Sequence, residues 1–141
     1  MDLTFNVKRL TETAQLPTQA NPSDAGWDLY ADEDTEIWPG ETTLISTGVS
    51  LEIPNGYVGL IWDRSSMGVK GVHRYAGVID SGYRGEIKVC LHNSNQERVS
   101  RFLSHVVDKN KVGVLTVSRG DRIAQILFQE APMFQLIETD I

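Results

Sequence analysis

Arg64-Ser65-Ser66 is one stretch of the sequence whose residue types suggest chemistry. A guanidinium beside two hydroxyls and their main-chain amides suits phosphate oxygens, because charged and neutral donors lie side by side. The same residues also suit a turn from the strand VGLIW into a helix, since Ser is a favoured N-cap. The stretch alone supports both interpretations equally.

The stretch YAGVIDSGYRGEI, residues 75–87, raises a second question. Val78-Ile79 predicts a short buried strand that ends at Asp80, and residues 86–89 predict the returning strand after a glycine-rich turn. A carboxylate at the end of a buried strand is costly unless it is hydrogen-bonded or takes part in chemistry. This stretch leaves both roles for Asp80 open.

Two further polar groups interrupt apolar runs. Asp28, in SDAGWDLYA, is either a solvated strand-end residue or a group near a metal, and taken alone it favours the structural role. Arg122 and Gln125 lie within RIAQILF and therefore need polar partners. The three histidines lack metal-ligand spacing, so we predict no histidine metal site.

The elements that must position these residues are predicted to be strands. Turn sequences such as WPGE, PNGY, DSGYRG and SRGD separate short apolar or alternating runs. This pattern predicts an all-β sandwich or barrel, most simply a jelly roll. The predicted strands lie in TFNVKRL, TEIWPGETTLIST, GVSLEIP, YVGLIWD, AGVID, EIKVCLHN, VGVLTV and RIAQILF.

The segment 95–111 departs from this pattern. Its apolar residues have the spacing of one helical face, which predicts a short helix between two strands, with a long anchored loop as the alternative. Those residues are Val99, Phe102, Leu103, Val106 and Val107.

Composition excludes several classes of protein. A length of 141 residues suits one domain with one core. No run approaches the roughly 20 apolar residues that a membrane span needs, and no signal-peptide pattern opens the chain. The net charge of -6 argues against general nucleic-acid binding but not against a small phosphorylated ligand in one basic cleft. The single cysteine, Cys90, cannot form an internal disulfide, so we expect a cytoplasmic protein.

The four polar stretches taken together identify a protein family more specifically than any one of them does. In order and separation, DAGWDLYA, DRSSMG, GVIDSGYRGEI and GDRIAQILF resemble four motifs of the trimeric dUTPase family, the deoxyuridine triphosphate nucleotidohydrolases. The resemblance extends from about Val7 to about Ile137. It implies a distorted jelly-roll subunit of a homotrimer, with three active sites built between subunits. It further implies hydrolysis of dUTP to dUMP and pyrophosphate with Mg²⁺, which keeps uracil out of DNA and supplies dUMP for thymidylate synthesis.

The resemblance also implies roles for single residues. Asp80 would orient and activate the attacking water, and Tyr83 would pack against the deoxyribose where a 2′-hydroxyl would lie. Main-chain groups of the hairpin would face the uracil edge, from Gly77, Val78, Ile79 and Lys88.

On the phosphate side, the family pattern implies two further sets of contacts. Arg64, Ser65, Ser66 and Gln125 would hold phosphate oxygens. Asp28 would act on the metal through water.

The sequence departs from the family pattern at three places. Asp63 stands where the family usually has a small or neutral residue, and we expect its carboxylate to pair with Arg64 or Arg122. Residues 94–113 are longer than the usual connection, which predicts a surface insertion, with a partner contact or a lid as alternatives. The fifth motif, a C-terminal arm, has no counterpart in the 141 residues. We therefore expect a single dUTPase-like domain over 1–141, and the sequence leaves open whether the arm was truncated, omitted or never present.

Two other functions compete with dUTP hydrolysis. A catalytically weak dUTP-binding module could signal through a protein partner at residues 94–113, which a missing arm would favour and intact Asp80 and Tyr83 oppose. A dCTP deaminase of the same superfamily would need a glutamate base and a cytosine site, and no segment matches these.

Overall fold

Short antiparallel strands make up almost all of the regular structure. The computed structural model describes residues 3–96, 105, 108–109 and 112–141, and these contain eleven strands and one five-residue helix. The elements are β1 (Asn6–Arg9), β2 (Gly26–Tyr30), β3 (Thr35–Ile37), β4 (Thr42–Ser46), β5 (Val49–Glu52), β6 (Tyr57–Trp62), α1 (Ser65–Val69), β7 (Val72–Tyr75), β8 (Val78–Ile79), β9 (Lys88–Asn93), β10 (Leu115–Val117) and β11 (Arg122–Glu130).

The strands form four small sheets. A four-stranded sheet has the order β2-β11-β6-β8, and a three-stranded sheet has the order β4-β9-β7. Two further pairs, β1-β5 and β10-β3, complete the fold, and every pairing is antiparallel. This confirms the predicted all-β class, and the fold is a distorted jelly roll.

The core lies between these sheets because their strands alternate apolar and polar residues. In β11, which pairs with β2 on one side and β6 on the other, Ile123, Ala124 and Ile126 are fully buried. Ile45 and Leu91, on β4 and β9, belong to the same cluster. Burying each large aliphatic side chain contributes about 1.5–3 kcal/mol, so this cluster fixes the strands that carry the polar residues.

Most predicted strands are present, but two strands were not predicted. These are β2 and β7, in GWDLY and VHRY, whose charged residues hide the strand pattern. The predicted strand Val78-Ile79 is present as β8, yet the prediction that it is buried is wrong in the single chain. Among the described strands, β8 lies at a sheet edge and pairs only with β6, and 66% of Val78 is exposed.

The predicted helix over 95–111 lies largely outside the described residues, as do all five residues of its apolar face. No helix in the described ranges combines the length and apolar character that a membrane crossing would require.

Candidate active site

Two cations surround one carboxylate at the end of the four-stranded sheet. Asp28 Oδ1 lies 3.8 Å from Arg64 Nε, and Asp28 Oδ2 lies 3.6 Å from Arg122 Nη1. These separations are longer than hydrogen bonds, and two guanidiniums against one carboxylate leave a net positive charge. We call Asp28, Arg64, Arg122 and Gln125 the arginine–aspartate cluster. Arg64 Nη1 donates to the main-chain carbonyl of Arg122 at 3.0 Å, and the remaining N–H donors of the two guanidiniums suit an anion.

Strand pairing places the fourth member of this cluster. Gln125 lies opposite Asp28 on one side and Trp62 on the other, and its Nε2 donates to the main-chain carbonyl of Asp63 at 3.0 Å. A Cβ at Gly26 would lie 2.1 Å from Gln125 Oε1. A side chain at position 26 would therefore displace the amide of Gln125.

Helix α1 follows directly from Arg64. Arg64 itself is the N-cap, without a side-chain capping bond, and Ser65 and Ser66 are the first two helical residues. The predicted helix after VGLIW is therefore present, but neither serine is its N-cap. Both serines are exposed, whereas Met67 is buried and anchors the helix.

The prediction that Asp63 pairs with Arg64 or Arg122 was wrong. Its carboxylate pairs with neither Arg64 nor Arg122, which both face Asp28. Instead Asp63 Oδ1 accepts the main-chain N–H of Arg74 at 2.6 Å, because the end of β6 lies beside β7.

A second group of predicted site residues lines an open cavity of about 330 Å³ around the turn from β8 to β9. The predicted hairpin is not a paired one, because β8 pairs with β6 whereas β9 pairs with β4 and β7. We call this cavity the hairpin cleft. The turn is closed by the N–H of Tyr83, which donates to the carbonyl of Asp80 at 3.1 Å. The Tyr83 hydroxyl donates to the carbonyl of Glu86 at 2.8 Å, and its ring lies over Gly85. The lining residues are Leu44, Val78, Ile79, Asp80, Tyr83, Glu86 and Lys88.

The carboxylate of Asp80 is exposed at this cleft. Within the described part of the chain, no hydrogen-bond donor or cation contacts that side chain, and its exposure removes the burial cost that the sequence argument assumed. An ionised carboxylate with open lone pairs can accept a proton from water.

The two groups are separate within one chain. Ile79 lies opposite Gly59 on β6, whereas Arg64 follows the far end of that strand. Five residues of extended chain correspond to roughly 16 Å. Among the described residues, no hydrogen bond or ion pair joins the arginine–aspartate cluster to the side chains of Asp80 or Tyr83.

Comparison with known proteins decides the family. The family model described as dUTPase matches residues 12–101, well over half of the chain. A curated relative from Mycolicibacterium gilvum, the deoxyuridine 5'-triphosphate nucleotidohydrolase, is 40% identical over 98% of this chain and 82% of its own length.

The chain belongs to the dUTPase family.

Solved structures agree with this assignment. A mutant dUTPase from phage phi11 of S. aureus, whose structure describes the coordination of a structural Mg(II) ion, has a TM-score of 0.86 and 26% identity. That match covers 99% of this chain and 98% of the other. The dUTPase of Staphylococcus bacteriophage 80alpha with dUPNHPP has a TM-score of 0.85 and 26% identity, covering 98% of this chain and 89% of the other.

Sequence reasoning missed two residues that line the cleft in this dUTPase fold. Leu44 is exposed on β4, and the strand alternation beside buried Ile45 was a signal for it. Glu86 was assigned only to a strand, whereas its Oε2 accepts the N–H of Gly48 at 2.9 Å. Arg122 was noted as needing a partner, and Asp28 is that partner.

A buried carboxylate supports the strand that carries Arg122 and Gln125. Asp32 accepts hydrogen bonds of 2.6 Å from the hydroxyls of both Thr11 and Thr13, and Arg119 Nε lies 3.5 Å from its Oδ1. Burial alone would raise the pKa of Asp32, but the two hydroxyls and the guanidinium outweigh it, so its pKa is lowered from 3.8. Arg119 precedes the turn into β11, so this network helps to fix the start of that strand.

Proposed function

We propose that this dUTPase family member hydrolyses dUTP to dUMP and pyrophosphate. The observation that carries the proposal is the exposed carboxylate of Asp80 at the hairpin cleft, in a chain that shares its fold and family with named dUTP nucleotidohydrolases. The activity would keep uracil out of DNA and would supply dUMP.

Asp80 would act as the general base. It would take a proton from a water molecule while the water oxygen forms a bond to the α-phosphorus. The bond from that phosphorus to the bridging oxygen would break, and pyrophosphate would leave. General-base assistance of this kind typically contributes about 10²–10⁴ in rate.

The hairpin would read the base through its main chain. Among the described strands β8 pairs only with β6, so the main-chain groups on its other edge have no strand partner there. Main-chain groups from Gly77 to Ile79 would offer a fixed donor and acceptor pattern to uracil, and Lys88 also lines the cleft. Cytosine would leave part of this pattern unpaired, which can discriminate strongly. The Tyr83 ring would occupy the space that a 2′-hydroxyl needs.

The arginine–aspartate cluster would hold the triphosphate. Arg64 and Gln125 would donate to phosphate oxygens, together with the exposed hydroxyls of Ser65 and Ser66. Arg122, 3.6 Å from Asp28, would add a second guanidinium.

Mg²⁺ fits this arrangement as an ion held mainly by the substrate. The described residues contain no group of three or more metal-ligating side chains, and Mg²⁺ is commonly bound by one carboxylate, waters and phosphate oxygens. Asp28, with a side chain 20% exposed, is the carboxylate that would face it through water. When bound, the ion would offset phosphate charge and fix the triphosphate conformer.

The separation of the two groups within one chain supports a homotrimer with shared sites. If the hairpin cleft of one subunit meets the arginine–aspartate cluster of the next, each of three sites is complete. The exposed apolar side chains near the end of the chain, including Phe134 and Leu136, support subunit contacts. The same proposal includes a single domain over 1–141 and a cytoplasmic site of action, where the lone Cys90 stays reduced.

Incubation of the protein with dUTP or dCTP and Mg²⁺ tests the activity. We expect pyrophosphate and dUMP from dUTP, little product from dCTP, and no ammonia. Binding of dUTP without pyrophosphate release would contradict the proposal and would favour the signalling module, which the names of the curated relatives do not favour. Ammonia from dCTP would indicate a deaminase.

A further inference from the structure

The corner between β7 and β8 has an unfavourable main-chain conformation. Ala76 has a φ of 59°, a region that residues with a side chain rarely adopt, and Gly77 has a φ of 111°. A Cβ at Gly77 would lie 3.1 Å from the carbonyl oxygen of Ile61. This corner immediately precedes Val78, so surrounding contacts must hold it if the hairpin is to present a fixed edge.

Three contacts hold the corner. The N–H of Ile61 donates to the carbonyl of Gly77 at 2.8 Å. Arg74 Nη1 donates to the carbonyl of Ala76 at 3.1 Å, and the same guanidinium lies 4.8 Å from the centre of the Trp62 ring. Arg74 is therefore the residue whose position determines two of the three contacts.

Asp63 fixes the main chain of Arg74. Among the described strands, β7 is at the edge of the sheet β4-β9-β7, so one side of its main chain has no strand partner there. Asp63 Oδ1 supplies the missing acceptor to Arg74 N–H at 2.6 Å, and Asp63 Oδ2 lies 3.7 Å from His73 Nδ1. The bond thus joins the three-stranded sheet to the end of β6 in the four-stranded sheet. An ionised acceptor makes it stronger than a bond between neutral groups.

We infer that Asp63, acting through Arg74, is a positioning residue that sets the base selectivity of the hairpin. The inference rests on the proposed function, in which main-chain groups from Gly77 to Ile79 read uracil. Asp63 also accepts the Nε2 hydrogen bond of Gln125 on its main-chain carbonyl, which holds the end of β6 itself in place. Discrimination by fixed main-chain groups depends on their position, so movement of this corner weakens it.

Three variants and one control test the inference. Asp63→Ala removes the acceptor, Asp63→Asn keeps an acceptor oxygen, and Arg74→Ala removes the guanidinium from Ala76 and Trp62. Glu41→Ala is the matched control, because Glu41 Oε1 likewise accepts a main-chain N–H, that of Trp38 at 2.8 Å, outside the candidate site.

Two ratios are measured for each protein with Mg²⁺. One is the ratio of dissociation constants for a non-hydrolysable dUTP analogue and the matching dCTP analogue, and the other is kcat/KM for dUTP over dCTP. We expect Asp63→Ala and Arg74→Ala to lower both ratios by about 10- to 100-fold. Asp63→Asn is expected to stay within about threefold of the wild type, and Glu41→Ala to change only the melting temperature.

The outcomes separate the inference from the proposed function. If Asp63→Ala lowers the melting temperature but leaves both ratios unchanged, Asp63 is merely structural and the inference is wrong. Equal losses in Asp63→Ala and Glu41→Ala would also overturn it. A wild-type protein without hydrolysis would contradict the proposed function alone, and the ratio of dissociation constants would still decide the role of Asp63.

Discussion

The arginine–aspartate cluster and the hairpin cleft differ in how many of their polar side chains have partners within the same chain. In the cluster, both oxygens of Asp28 face guanidiniums, and Gln125 is fixed by a hydrogen bond to Asp63. In the cleft, Asp80 and Lys88 are exposed, and 44% of Tyr83 is accessible.

This difference indicates that the side chains of the cluster are positioned before a ligand binds, whereas those of the cleft are not. The cluster has its donors aligned by internal contacts, so it can bind an anion without reorganising. The cleft leaves a carboxylate and an unpaired strand edge facing solvent, and such groups work best once water is excluded. We therefore expect substitutions in the cleft to affect turnover and selectivity, and substitutions in the cluster to affect substrate binding.

The largest expected effect is that of Asp80→Asn. The amide has a similar size but cannot accept a proton, so kcat for dUTP should fall by about 10²–10⁴ while the dissociation constant of a non-hydrolysable analogue changes little. Steady-state kinetics and calorimetry measure the two quantities. Turnover at the wild-type rate would show that Asp80 is not the base.

Gly26→Ala tests the cluster. The added methyl group would lie 2.1 Å from Gln125 Oε1 and would force that amide away from Asp63. We expect KM for dUTP to rise about 10- to 100-fold with a smaller change in kcat, since a misplaced contact mainly weakens binding. Gly68→Ala is the matched control, because an added Cβ there meets nothing within 4 Å. An unchanged KM in Gly26→Ala would remove Gln125 from phosphate binding.

Tyr83→Ala should have a smaller effect, which we expect only on the discrimination between deoxyribose and ribose. Removal of the ring opens space for a 2′-hydroxyl, so the preference for dUTP over UTP should fall by about tenfold. Tyr83→Phe keeps the ring and loses only the bond to the Glu86 carbonyl, so it serves as the control. Competition assays with UTP measure the preference, and an unchanged value in Tyr83→Ala would place Tyr83 outside the sugar site.

The smallest expected effect concerns the support of β11 by Asp32. Its pKa is lower in the folded protein than the ordinary 3.8, so the ionised form stabilises the fold above pH 4. That stability is lost as the pH falls through the folded value. Asp32→Asn should lower the free energy of unfolding by about 1 kcal/mol at pH 7, and its difference from the wild type should narrow towards pH 3. Urea denaturation at both pH values measures this, and a difference independent of pH would contradict it.

The strands with clear apolar alternation could be predicted from the sequence. β6, β9 and β11 were predicted because their runs are long and apolar, and turn residues bound them. β2 and β7 were missed because Asp28, His73 and Arg74 obscure the alternation, and only their partner strands make these segments extended.

Contacts between distant segments could not be predicted. Asp63 was expected to pair with Arg64 or Arg122. The sequence offers Arg64 as its direct neighbour and Arg122 as a cation in another of the four motifs, but it does not show contacts between strands. The actual partner of Asp63, the N–H of Arg74, depends on where the edge strand β7 lies against the end of β6. The burial of Val78 was wrongly predicted for the same reason. The apolar residues Val78 and Ile79 indicate a strand, but they do not indicate that the strand lies at the edge of its sheet.

Mixed trimers test the central claim, that a hairpin cleft and an arginine–aspartate cluster from different subunits form one site. Asp80→Asn and Arg64→Ala would be co-expressed with different tags, and the doubly tagged trimers assayed for hydrolysis at a dUTP concentration below the wild-type KM, where each parent variant is nearly inactive. In each doubly tagged trimer, one of the three interfaces joins an intact cleft to an intact cluster, so we predict about a third of wild-type activity. If both halves of each site belonged to one chain, the mixed trimers would be no more active than the parent variants, and that result would contradict the account.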